Sequence, residues 1–100
     1  MIVLCTAGSE QEAVRIADSL VEARLAACVN ILPGIRSVYR WEGKVERAGE
    51  TLLLIKTTGT VFPRLRARIL ELHSYEVPEI LAVRIEEGLD SYLRWIREST

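Results

Sequence analysis

The fold class that the sequence predicts is α+β: an antiparallel sheet with helices packed on one face. Three observations carry the prediction. Short apolar, β-branched runs alternate with segments whose apolar residues recur at helical spacing. Glu42-Gly43-Lys44, just past the second of those runs, has the look of a hairpin tip. The chain has 100 residues and is 49% hydrophobic, enough for one domain (residues 1–100) with a core of its own.

Residues 2–7, Ile-Val-Leu-Cys-Thr-Ala, form the first predicted strand, which Gly8 ends. Ser9-Glu10-Gln11-Glu12 fits a capping box, with Ser9 at the helix start and Glu12 reaching back. Ala13, Ile16, Ala17, Leu20 and Ala23 follow on one face, so a helix is expected over 10–26. The second strand runs from Ala26, is interrupted by a turn or bulge at Pro33-Gly34, and resumes from Ile35 to Trp41. Residues 45–49 are polar and read as a solvent-facing or mobile segment. The third strand is then 51–57, Thr-Leu-Leu-Leu-Ile-Lys-Thr, apolar on both faces. A two-layer domain leaves one sheet face open, so a doubly apolar strand implies a second cover, most simply a subunit partner.

Thr60 is expected to cap a second helix with Pro63 in its first turn, ending near His73. Arg64, Arg66 and Arg68 read as its solvated face. Pro78 keeps Val77 out of helical conformation. A fourth strand spans 80–85, and a last helix starts at Asp90 with Tyr92, Leu93, Trp95 and Ile96 as its apolar residues. The order β-α-β-β-α-β-α is the ferredoxin-like plan with an extra C-terminal helix.

Composition excludes several functions. With 13 basic and 14 acidic residues the net charge is −1, which offers no general grip on nucleic acid or anionic lipid. No apolar run reaches the ~20 residues of a membrane helix, and no charged leader opens the chain, so a cytoplasmic protein is expected. Cys5 and Cys28 form no C-x-x-C pair and read as buried thiols. There is one histidine, no Ser-His-Asp pattern, no G-x-S-x-G elbow and no phosphate-cradling loop, so no enzyme is expected.

The stretch 73–80, His-Ser-Tyr-Glu-Val-Pro-Glu-Ile, holds the densest chemistry. Imidazole and carboxylate oxygen suit a borderline divalent cation, so His73, Glu76 and Glu79 are candidate ligands. His73 can equally serve at a helix end, where its charged form suits the dipole, and the glutamates can equally be solvated or salt-bridged. Tyr75 and Pro78 are placed to shape the loop. Tyr39 and Trp41 alternate onto one face at the hairpin end, where they line either an inter-subunit cleft or an aromatic interface. Lys56, in an apolar strand, must reach solvent, a carboxylate or an anionic ligand.

Other ferredoxin-like functions lack their motifs. The third strand has no stacking ring for RNA, the first loop has no second thiolate for a soft-metal chaperone, and Gly8-Ser9-Glu10 is acidic where a phosphate cradle needs arginine. Six blocks, in order along nearly the whole chain, resemble the CutA family of divalent-cation tolerance: 3–7 (VLCTA), 25–31 (LAACVNI), 37–44 (SVYRWEGK), 54–57 (LIKT), 73–80 (HSYEVPEI) and 92–96 (YLRWI). The resemblance implies a homotrimer with sheets facing inward and an association with copper or another divalent cation. It also implies metal ligands at the thiol matching Cys5 and at imidazoles closing the second helix. His73 matches one imidazole position; Leu72 stands where some members carry another, and Ser74 where proline is usual. The trimer of the family resembles that of the PII signalling proteins. The second function carried forward is therefore a signalling or scaffold trimer binding a small molecule or partner at inter-subunit clefts near Tyr39, Trp41, Lys56 and Tyr75.

Overall fold

A computed structural model describes all residues, 1–100. The elements are β1 (Ile2–Ala7), α1 (Glu10–Glu22), β2 (Cys28–Trp41), β3 (Lys44–Lys56), α2 (Phe62–Leu72), β4 (Leu81–Val83) and α3 (Asp90–Glu98). The four strands form one sheet in the order β2-β3-β1-β4, each antiparallel to its neighbour. This is the α+β arrangement expected from the sequence.

Strand alternation divides β1 and β3 between two environments. Val3, Cys5 and Ala7, with Leu53 and Ile55, turn toward the helices and meet Ala13, Ile16 and Leu20 of α1 and Leu65 and Ile69 of α2; all are fully buried. The alternate residues Ile2, Leu4, Leu52 and Leu54 share the other face with Leu81 and Val83, which are 56% and 50% exposed. One sheet face thus packs the core; the other is apolar and only partly covered by this chain, with Ile2, Leu4, Leu52 and Leu54 half-buried.

The helix boundaries follow local bonding. The Ser9 hydroxyl accepts from the Glu12 N–H at 3.1 Å, as the capping box predicts. α1 stops at Glu22 rather than 26, because Arg24 takes a left-handed φ of 59° and the Leu25 and Ala26 amides both return to the Leu20 carbonyl. At α2 the cap position is Val61, not Thr60, and no side chain caps it; the Thr58 carbonyl accepts from the Val61 and Phe62 amides instead. Arg66 lies 5.4 Å over the Phe62 ring, and Arg68 bonds Ser19 and Glu71. α3 is held by buried Ile96 and by the Arg24 guanidinium, which donates to the Glu98 carbonyl at 2.8 Å.

Residues 45–49 are not loop. They pair with 36–40 and extend β2 and β3 as a two-stranded ribbon beyond the sheet, since β1 pairs only with 51–56. The ribbon draws the molecule out to 44 × 26 × 22 Å. Its tip is a tight turn with positive φ at Glu42 (50°) and Gly43 (79°), the twist two-residue hairpins favour. β4 is three residues long, shorter than the expected 80–85, and pairs with Ile2–Leu4 of β1 alone.

Candidate functional site

A β-bulge sets the orientation of the ribbon. The pairs run Leu32↔Leu52, then Ile35↔Glu50, so Pro33 and Gly34 together oppose Thr51 alone. Gly34 supplies the left-handed φ of 78° that the bulge needs. One added residue reverses which side chains point to a given face. Before the bulge, Cys28, Asn30 and Leu32 share the open face; after it, Ser37, Tyr39 and Trp41 do, alongside Glu50. The aromatic pair singled out in the sequence therefore faces the same side as Thr6, at the distal end of β1.

The segment after α2 closes over that corner and makes a cleft of about 640 Å³. Its walls are Ser37, Val38, Tyr39 and Trp41 on the ribbon, Thr6 and Glu50 on the sheet, and 75–79 on the loop. Tyr39, Trp41, Tyr75, Glu76 and Glu79 thus come together. Lys56 does not: it pairs with Ile2 and Cys28, six residues along β3 from Glu50, about 20 Å away at strand rise.

His73 anchors the loop from beneath. Its side chain is fully buried. Nε2 stands 2.7 Å from the Thr6 carbonyl, and Nδ1 accepts from the Tyr75 N–H at 3.1 Å. The two bonds together assign the proton to Nε2 and leave neither nitrogen free. The ring also meets the Tyr75 ring at 4.7 Å between centroids. The Tyr75 hydroxyl donates to Glu50 at 2.8 Å, and burial together with that carboxylate raises the phenol's pKa.

Glu12 is the second anchor. It is 6% exposed, and its carboxylate accepts from the Ser74 N–H at 2.8 Å and the Gly8 N–H at 3.3 Å. Burial alone would raise its pKa; the bonds from Ser74 and Gly8 outweigh it and hold the group below its ordinary value. The helix-capping glutamate of the sequence therefore also ties α1 to the cleft loop, a bond to residue 74 that no local pattern announces.

Cys5 points into the helix-side core and is fully buried. Burial, and then the carboxylates of Glu79, Glu12 and Glu50, push its thiol up to about 12. Nothing in the structure brings Cys5, His73, Glu76 and Glu79 to a common point, and no three His, Cys, Asp or Glu side chains of the chain stand in metal-holding geometry. The cleft gathers three carboxylates, Glu50, Glu76 and Glu79, and no lysine, arginine or histidine lines it. Glu50 escaped the sequence reading because it stands at the edge of an apolar strand with no motif around it.

Comparison with known proteins gives the same frame. The profile of the CutA1 divalent ion tolerance protein family matches residues 1–99. The Divalent-cation tolerance protein CutA of Thermus thermophilus is 56% identical over 99 residues, 99% of this chain and 96% of that one. The human Protein CutA is 44% identical over 95 residues, and the chain spans about half (53%) of its length. Among solved structures, the Thermus thermophilus protein superimposes with a TM-score of 0.97 over 99% of this chain and 96% of that one. The CutA1 of Oryza sativa, 43% identical, gives 0.96 over 99% and 91%. A family profile that spans nearly the whole chain, with relatives this similar in sequence and in overall structure, leaves one assignment: the chain belongs to the CutA1 divalent ion tolerance family.

Proposed function

We propose that the protein acts as a homotrimer that binds divalent cations, copper among them, at the cleft between the ribbon and loop 75–79, as part of a cytoplasmic response to metal ions. The observation that carries the cation reading is the cleft's charge: three carboxylates with no basic side chain among its walls. Glu76 and Glu79 are the proposed first ligands. His73 supports them by fixing the loop and reaches a copper ion only if its ring leaves the Thr6 carbonyl. Cys5, sealed in the core as a neutral thiol, takes no part while the fold is intact. One chain supplies too few ligands for a closed site, so a neighbouring copy completes it.

The trimer reading is supported by two surfaces. A two-stranded ribbon standing alone is marginal in water, yet this one carries Val38 at 65% and Val45 at 51% exposure. The open sheet face adds Leu32, Leu81 and Val83. We read the protein as a binder, not an enzyme, because its one imidazole has both nitrogens engaged. The two unpaired cysteines suit the cytosol.

Native mass spectrometry with Cu²⁺, Zn²⁺ and Mg²⁺ tests the reading. A trimer taking up a fixed ratio of metal per chain, lost in Glu76→Gln/Glu79→Gln, is expected. A monomer at micromolar concentration overturns the assembly, and a metal-free trimer overturns the cation site. The second reading, a small-molecule signalling or scaffold trimer, is favoured by the cleft's volume and aromatic walls. Its anionic version through Lys56 requires the lysine to come from a neighbouring copy, since Lys56 lies outside the cleft of its own chain.

A further inference from the structure

The cleft is not only acidic. Tyr39 and Trp41 remain 44% and 42% exposed on one wall, Tyr75 36% exposed on the other, and Val77 and Pro78 complete the apolar lining. Ring faces and alkyl groups carry no lone pairs for a metal ion, and a hydrated divalent cation wants oxygen on every side. An anion would meet three carboxylates and no positive side chain. The chemistry complementary to both features at once is a positive charge attached to hydrocarbon: it lies against aromatic faces through cation–π attraction and meets carboxylate oxygen at its other side. Tyr75 strengthens the design, because its hydroxyl holds Glu50 at 2.8 Å and so fixes one carboxylate beside the rings.

We infer that the cleft is a binding site for a small organic ammonium ion, an alkylamine or quaternary ammonium. The nitrogen sits among Glu50, Glu76 and Glu79, and the carbon body lies against Tyr39 and Trp41. The inference rests on the same cleft as the metal reading and on its staying open in the assembled protein. Its distinguishing residue is Trp41, which offers a metal ion nothing.

The test uses the assembled protein with Trp95→Phe, so that Trp41 is the sole tryptophan. Tetramethylammonium and butane-1,4-diamine are titrated by Trp41 fluorescence and by calorimetry, with ATP as the anionic control. Saturable binding of at least one cation below about 10 mM, and none of ATP, is expected. In calorimetry on the otherwise unchanged protein, Trp41→Leu weakens that binding roughly tenfold and leaves Cu²⁺ or Zn²⁺ uptake unchanged. Glu79→Gln weakens binding of both kinds of cation. Tyr39→Leu serves if Trp41→Leu does not assemble. No saturable cation binding, as when a neighbouring copy fills the cleft, overturns the inference, and so does equal affinity in Trp41→Leu and Tyr39→Leu. Ammonium binding without metal uptake would leave the inference standing and overturn only the metal reading.

Discussion

Replacing Glu12 tests whether the loop that walls the cleft is held from α1. The carboxylate accepts a short bond from the Ser74 N–H (2.8 Å) and a longer one from Gly8 (3.3 Å), at 6% exposure. A bond to a charged, buried acceptor contributes about 1.5–3 kcal/mol, and the longer one about 0.5–1. A negative group in the first turn of a helix adds about 0.3–1 kcal/mol, and the better helix propensity of alanine returns a few tenths. Glu12→Ala is therefore expected to cost about 3 kcal/mol, and Glu12→Gln, which keeps one acceptor oxygen, about half that. Guanidinium denaturation at fixed protein concentration reads this as a midpoint shift of about 1 M for the alanine variant. The pH dependence adds a sign. The folded-state pKa of Glu12 lies below its ordinary 4.5, so its contribution is complete above that value and disappears as pH falls through the folded pKa. The gap between the native protein and Glu12→Gln should stay constant down to about pH 4.5 and narrow below it. A gap that is absent at neutral pH, or unchanged in acid, would refute the anchoring role.

Three further outcomes follow from the same geometry. Cys5, with its thiol raised to about 12 and fully buried, should resist an aromatic disulfide reagent at pH 8 until denaturant is added, read in a Cys28→Ser background because Cys28 is only half-buried; rapid labelling of that native variant would contradict the burial. Gly8→Ala would bring a Cβ to 3.2 Å from the Tyr75 hydroxyl, so the phenol must shift and its bond to Glu50 weaken; a loss of about 0.5–1.5 kcal/mol is expected in thermal melts, and a neutral effect would show the ring is free to move. Leu53→Ala, at the centre of the sheet and wholly buried between β3 and the helices, should cost about 2–5 kcal/mol in denaturant midpoint analysis, against little change for the exposed Leu70→Ala on α2.

The parts of the fold that were legible are those where periodicity and local bonding agree. β1 was read to its boundaries, and Ser9 was read as a cap, because strand patterning and capping both act within a few residues. The end of α1 was misplaced because Ala23 and Ala26 prolong the helical pattern while Arg24, not glycine, takes the left-handed turn. The 45–49 half of the ribbon was read as loop for a different reason. A ribbon with no core beneath it need not alternate apolar with polar, so the period-two signal that marks a strand is missing. The cleft was half legible. Tyr39, Trp41, Tyr75, Glu76 and Glu79 sat in recognisable blocks, whereas Glu50 and Glu12 join it only through pairing between β2 and β3 and a bond across 62 residues. Lys56 was drawn in by its chemistry alone, and strand geometry carried it to the far end of the sheet.

The bulge at Pro33-Gly34 has a consequence for how this chain can change length. Strand faces follow parity, so loss of a single residue there would turn Tyr39 and Trp41 to the opposite side from Glu50, while Val38 and Arg40 took their places. Lengthening the hairpin near Glu42-Gly43 by one residue on each strand would leave every aromatic where it is. Insertions in the two regions are therefore unequal: the tip can gain paired residues beyond Trp41 and Lys44, whereas the bulge tolerates no odd change without dismantling the cleft.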